Sequence, residues 1–212
     1  MSGTAVRIGS GGWWTFPGGL ARYARHFDFV ELNASYYRLP TREQALRWRA
    51  EVPESFEFAV KMPRDRPKDP ADLWAVLDAL AARYVVVHSS CPWGGDALDL
   101  LHDHGYRPVL ERRGRRPAEG PPPPRWVRIA EDPSLPETRP RGEGEELYAR
   151  VFGAERGVAH HLGKGMIDRV ATTATRRASP AKGEVRIVTH SYQMYDDAER
   201  IRQAMEEAGS DG

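Results

Sequence analysis

DFVELNASYYRLPTREQALRWRAEVPESFEFAVK, residues 28–61, decides how the rest of the chain reads. Its opening, Asp28–Asn33, puts Val30 and Leu32 on one parity and Phe29, Glu31 and Asn33 on the other, the alternation of a strand. Thr41 then stands where a side-chain cap would start a helix running to Ala50, with Glu43 early in its first turn. Phe56–Lys61 alternates again, Phe58 and Val60 against Ala59 and Lys61. A strand, a helix and a strand in this order form a crossover unit, which pairs its strands in parallel.

The same alternation extends in both directions. Before this unit lie a strand over Val6–Ser10 and a short helix over Leu20–His26. After it come a helix from Asp69 or Pro70 to about Ala82, a strand over Tyr84–His88, and a helix over Asp96–His104 that Gly105 stops. Strands follow over Arg107–Arg112, Trp126–Ala130, Glu146–Phe152 and Glu184–His190, with helices over Lys164–Arg177 and Met194–Ala208. The expected fold is therefore α/β, a (β/α)8 TIM-type barrel as a single domain over residues 1–212. The chain is short for such a barrel, where about 250 residues is typical. Pro117–Pro124 and Glu131–Gly144 account for the shortfall, reading as loops in place of the helices after the fifth and sixth strands. An open doubly wound sheet and an incomplete barrel are the alternatives.

Composition narrows the class. The chain has 212 residues and one cysteine, Cys91, so it holds no disulfide framework and no cysteine-based zinc site. The opening MSGTAVRIGSGG lacks a signal-peptide core and no run is long enough to span a membrane, so the expected location is cytoplasmic with no membrane partner. A formal net charge of +1 gives no global attraction to nucleic acid. The cations are 27 arginines and four lysines, and arginine suits phosphate and carboxylate recognition.

Strand parity also gathers polar residues on one face. Glu31 and Asn33, Lys61, Arg128 and Asp132, and Arg150 fall opposite apolar residues, His88 follows Val86 and Glu111 follows Val109 inward, and Arg186 shares a face with His190. Most lie toward the carboxyl ends of their strands, where barrels of this type carry catalytic groups. Glu31, Lys61 and Glu111 are the candidate catalytic residues, and His88 and His190 with Glu31 and Glu111 are candidate ligands for a divalent metal. Lys61 and Arg150 in the same ring oppose the metal reading, because they can neutralise the carboxylates directly. A salt-bridged plug without catalysis is the structural alternative.

Other features bear on ligands. Gly9, Gly11 and Gly12 follow the first strand and offer backbone N–H groups to a phosphate, or simply permit a tight turn. Trp13, Tyr36, Tyr37, Trp93 and Tyr192 follow strands and can stack on a ligand or cover the barrel mouth. Arg112, Arg113, Arg115 and Arg116 form a local basic cluster, and His160 and His161 are adjacent in an expected loop.

IGSGGW at Ile8–Trp13, VELNASYYRLP at Val30–Pro40 and PESFEFAVKMPRD at Pro53–Asp65 resemble the YecE-like family (domain of unknown function 72). VLERRG at Val109–Gly114 and YARVFG at Tyr148–Gly153 resemble it more loosely. The chain departs at His88, where that family carries glutamine, and at Thr189–Ser191, where it often has paired asparagines. The resemblance implies a TIM-type barrel and marks Glu31, Asn33, Tyr37, Arg38, Lys61, Glu111 and Arg150 as site candidates, Asp132 among the looser matches. It implies no settled activity.

The leading functional expectation is a hydrolase, of phosphodiester type, acting on a phosphate-containing small molecule or nucleic acid. Asn33, Tyr37, Arg38, Arg150, Trp13 and Asp132 would bind substrate, and a ring carboxylate or metal-bound water would supply base or nucleophile. The alternatives are a metal-free enzyme on a small carbohydrate or acid, with Lys61 and Glu111 as its acid–base pair, and a non-catalytic module binding nucleic acid or protein.

Overall fold

A computed structural model describes residues 6–92, 94–112, 124, 126–135, 146–154, 157–178 and 184–210. Its strands are β1 (Val6–Ser10), β2 (Phe29–Leu32), β3 (Glu57–Lys61), β4 (Tyr84–His88), β5 (Arg107–Glu111), β6 (Arg128–Ile129), β7 (Leu147–Val151) and β8 (Val185–Thr189). The helices are α1 (Gly19–Tyr23), α2 (Arg42–Ala50), α3 (Pro70–Leu80), α4 (Gly94–Asp103), α5 (Lys164–Arg177) and α6 (Met194–Ser210), with a 3-10 turn at Asn33–Tyr36. The sheet is 8-stranded, in the order β6-β5-β4-β3-β2-β1-β8-β7. That is the strand order of a TIM-type α/β barrel. Just past β6, Glu131 makes a parallel bridge to Ala149 of β7.

The sixth strand is shorter than its expected span of Trp126–Ala130. The Val127 N–H donates to the Pro124 carbonyl at 3.0 Å, so the preceding residues turn instead of extending. Among the described residues no helix lies between β5 and β6 or between β6 and β7, and 113–123 and 136–145 fall outside them.

The chain divides into two compact units, residues 12–129 and residues 1–11 with 130–212. In the first, α2 begins with a reciprocal cap. Thr41 Oγ1 accepts from the Gln44 N–H at 3.2 Å, and the Thr41 N–H donates to Gln44 Oε1 at 3.0 Å. Asp69 caps α3 by accepting from the Ala71 N–H at 2.9 Å, with Pro70 at the first helical position. Helix α4 ends before Gly105, whose φ of 82° makes the turn. The core of this unit joins Leu73, Val76, Leu77 and Leu80 of α3 to the strands and a ring cluster of Tyr23, Phe27, Phe56 and Phe58.

In the second unit, Ile167, Val170, Ala171 and Ala174 form the buried stripe of α5, at the spacing of one helix face. Ala198 and Ile201 of α6 are likewise buried. Burying Ile167 and Val170 contributes about 1.5–3 kcal/mol each.

Candidate functional site

Pairing register settles which side chains share a side of the sheet in the first unit. Glu31 pairs with Ala59, and Lys61 with Val86; Val86 pairs with Val109, and His88 with Glu111. Alternation then places Glu31, Lys61, His88 and Glu111 on one side, with Leu32, Val60, Val85 and Val87 on the other. Glu31 and Glu111 are buried, at 0% and 2% exposure, and Lys61 is 8% exposed.

Lys61 Nζ lies 3.0 Å from Glu111 Oε2. Lysine has the reach for this: its Cα sits one layer below Glu111, and its stem climbs past Val86 and Val109. The Tyr36 ring centroid is 4.7 Å from the same Nζ, with the ring's negative face available to the ammonium. The 3-10 turn after β2 makes that approach. Ser35 Oγ reaches the Leu32 and Lys61 carbonyls, and the Arg64 N–H donates to the Tyr36 carbonyl at 2.9 Å. Tyr36 also borders His88, at 6.1 Å between ring centroids. Neither Tyr36 nor Ser35 was singled out as a site residue by parity, since both follow the strand. The signal available was the run of small and aromatic residues ASYY directly after β2.

His88 does not suit a metal. Its Nδ1 accepts from the Ser90 N–H at 3.1 Å and lies 2.6 Å from Ser90 Oγ, which leaves the proton of the neutral ring on Nε2. A metal-bound histidine normally donates from its second nitrogen, and that nitrogen here faces a donor. Glu111 is already neutralised by Lys61. Among the described residues, the His, Asp and Glu side chains whose ligand atoms lie within 4.8 Å of one another are instead His161, Asp196 and Asp197. That set holds a cation of its own: Arg200 Nη1 is 2.6 Å from His161 Nε2 and 2.9 Å from Asp197 Oδ1. Buried Asp197 also accepts from the Leu162 N–H at 3.0 Å and from Ser191 Oγ at 2.5 Å, tying two loops to α6. The expected histidine pair in a loop is thus half structural, through His161 Nδ1 at 3.0 Å from Asp197.

Asn33 opens the 3-10 turn and is half-buried, while Tyr37 and Arg38 are exposed just beyond it. Trp13 does not stand on the rim. It is 4% exposed, stacked on Trp14 at 4.7 Å and met edge-on by Trp48 at 5.2 Å. Trp14 is the exposed member of the pair. Arg112 is exposed next to Glu111, and Trp93, Arg113, Arg115 and Arg116 lie outside the described residues.

In the second unit, Arg150 pairs in register with Val188, which pairs with Gly9. The Arg150 guanidinium is buried, at 2% exposure. Arg150 lies 5.2 Å from the Phe152 ring centroid, and His190 stacks on the same ring at 4.6 Å and 13°. Arg186 lies within β8, while His190 stands just past the strand's end at Thr189. Gly11 is explained by this stack. A Cβ there would meet His190 Nδ1 at 2.5 Å, and the Gly11 N–H is taken by the Thr189 carbonyl at 3.0 Å, not held out for a phosphate.

Asp132 is engaged by the protein itself. Oδ1 accepts from the Ser134 N–H at 3.1 Å and its hydroxyl at 2.5 Å, and Oδ2 accepts from the Phe152 N–H at 2.9 Å. Burial pushes its carboxyl above the ordinary range, and these hydrogen bonds pull the other way without cancelling it. Glu131 beside it pairs with buried Arg177 at 3.5 Å.

Residues 17–82 match the family described as protein of unknown function DUF72. The match spans β2, Lys61 and α3 but not Glu111 or Arg150. A DUF72 family protein from Enterococcus faecalis V583 shares the fold. In one crystal structure of it the TM-score is 0.66 at 17% identity, over 97% of each chain. In another the TM-score is 0.70 at 16% identity, over 95% of this chain and 96% of that one. UPF0759 protein YecE of Escherichia coli K12 is 48% identical over 44 residues, and the same protein of strain O157:H7 matches equally. That alignment covers 21% of this chain and 16% of the curated relative, so the likeness in sequence is local. Family and relatives are alike of unknown function, and the fold is what the structural likeness shows.

Proposed function

We propose that this chain is an acid–base enzyme acting on a small carbohydrate or hydroxy acid, with Lys61 and Glu111 as its proton-transfer pair. The observation that carries the reading is the Lys61–Glu111 contact of 3.0 Å, buried at the carboxyl ends of β3 and β5. A buried ion pair of this kind costs desolvation energy and is weak evidence for stability alone. At the end of barrel strands it has a chemical use. Glu111 can take a proton from a hydroxyl or an activated carbon, while Lys61 stabilises the oxygen on which charge develops. Exposed Tyr37, Arg38 and Arg112 supply polar and cationic groups suited to an anionic or hydroxylated substrate.

The phosphodiester hydrolase reading, with Glu31 and Glu111 as base or metal ligands, has less support. Lys61 stands where a metal would have to compete, and His88 presents the wrong nitrogen. Screening small sugars, sugar acids and hydroxy acids by thermal shift tests the proposal. The expected result is a ligand whose shift disappears in Lys61→Ala and whose turnover, but not binding, disappears in Glu111→Gln. Labelled single- and double-stranded DNA and RNA with divalent metals form the second arm. Cleavage that is lost in Glu31→Gln, with no small-molecule ligand found, would replace the acid–base reading with the nuclease one.

A further inference from the structure

A cavity lies on the opposite side of β3 from Lys61, within the same compact unit. Its volume is about 270 Å3, near the lower end of ligand-sized pockets. Met62, Leu73, Ala97 and Leu101 line it together with the rings of Trp74 and His104, so its wall is mostly hydrocarbon. Trp74 is held in place by stacking on His104 at 4.2 Å and 8° and on Tyr106 at 5.8 Å and 3°. His104 is itself fixed, through Nδ1 at 2.8 Å from the Leu100 carbonyl.

The charged side chain on the lining is Arg66. It is exposed, and it makes no ion pair or hydrogen bond among the described residues. Among the described residues no acidic side chain lines the cavity. Proline at positions 67 and 70 stiffens the segment that carries Arg66. An apolar chamber with one cation at its edge complements a molecule with a hydrocarbon body and a single negative end.

We infer that the cavity between α3 and α4 binds a medium-chain aliphatic carboxylate, its chain against Met62, Leu73 and Leu101 and its carboxylate at Arg66. This does not rest on the chemistry proposed for Lys61 and Glu111, which face the other side of the sheet. Titration of the full chain with octanoate, octanol and octylamine, followed by calorimetry, tests it. The expected order is octanoate tightest and octylamine weakest. Arg66→Glu should weaken octanoate by about two- to fivefold and strengthen octylamine, as expected for an exposed ion pair. Ala97→Leu fills the cavity and should abolish binding of all three probes while the far-ultraviolet dichroism stays unchanged. Equal binding of the three probes, an unchanged octanoate affinity in Arg66→Glu, or no saturable binding by the folded protein would each overturn the assignment.

Discussion

Lys61 of β3 and Glu111 of β5 meet at 3.0 Å although β4 runs between their strands. In the layer of Lys61 its neighbours on β4 and β5 are the uncharged Val86 and Val109, so Glu111, two residues further along β5, is its ion-pair partner. The pair should respond asymmetrically to mutation. Lys61→Met or Glu111→Leu alone leaves one buried charge uncompensated and should cost about 3–5 kcal/mol. The double substitution should recover most of that loss, since two apolar side chains suit the site. Urea denaturation of the four proteins in a double-mutant cycle measures the coupling. Additive losses would show that the two groups do not depend on each other.

Gly11 and His190 make a second coupled pair. A methyl group at position 11 would lie 2.5 Å from His190 Nδ1 and 2.6 Å from Cε1. The imidazole cannot readily retreat, because its face rests on Phe152 at 4.6 Å. Gly11→Ala should therefore cost about 1–3 kcal/mol by overpacking. Adding His190→Ala should return much of that loss by making room. Thermal melts of the single and double variants check this, and a Gly11→Ala protein as stable as wild type would refute the steric account.

Strand parity located Glu31, Lys61, His88 and Glu111 on one side because period two holds wherever a strand is regular. It failed where the backbone leaves the strand. Tyr36 reaches Lys61 only through the 3-10 turn at Asn33–Tyr36, whereas its neighbour Tyr37, equally prominent in the sequence, points to solvent at 79% exposure. Trp13 looked like a rim aromatic because it follows β1. Its burial depends on Trp48, which is brought to it by the fold from α2, and no local pattern encodes that meeting. Asp132 has the parity of a binding residue, but its oxygens accept from Ser134 and from Phe152, twenty positions away.

The Asp132 network predicts both a stability loss and a pH effect. Asp132→Ala would strip acceptors from the Phe152 N–H and from Ser134, at a cost of about 1–3 kcal/mol. The pH effect has the sign of a raised carboxyl. Between the unfolded value of about 3.9 and the higher folded value, the native state binds more protons than the unfolded state. Stability from this group is therefore greatest below that window and falls as pH rises through it. The difference in unfolding free energy between wild type and Asp132→Asn, measured in urea from acid to neutral pH, should shift against wild type as pH rises. A difference that does not vary with pH would contradict the burial effect on Asp132.

Helix α3 closes on a strained residue. Ala81 caps it in the left-handed region, with φ 50° and ψ 41°, where helices usually place glycine. Its N–H donates to the Asp78 carbonyl at 3.0 Å and the next N–H, of Ala82, to Leu77 at 2.9 Å, so the cap cannot relax without losing both bonds. A left-handed conformation costs an L-residue with a Cβ roughly 1–2 kcal/mol, while glycine adds disorder to the unfolded chain worth somewhat less. Ala81 is exposed, so no packing is lost on removing its methyl group. Ala81→Gly should therefore stabilise the protein by about 0.5–1 kcal/mol. A control at Ala75, in the interior of α3, should show the opposite sign, with glycine destabilising by about 1 kcal/mol. Chemical denaturation of both variants reads the two signs, and destabilisation at both positions would mean that the Ala81 conformation carries no strain to release.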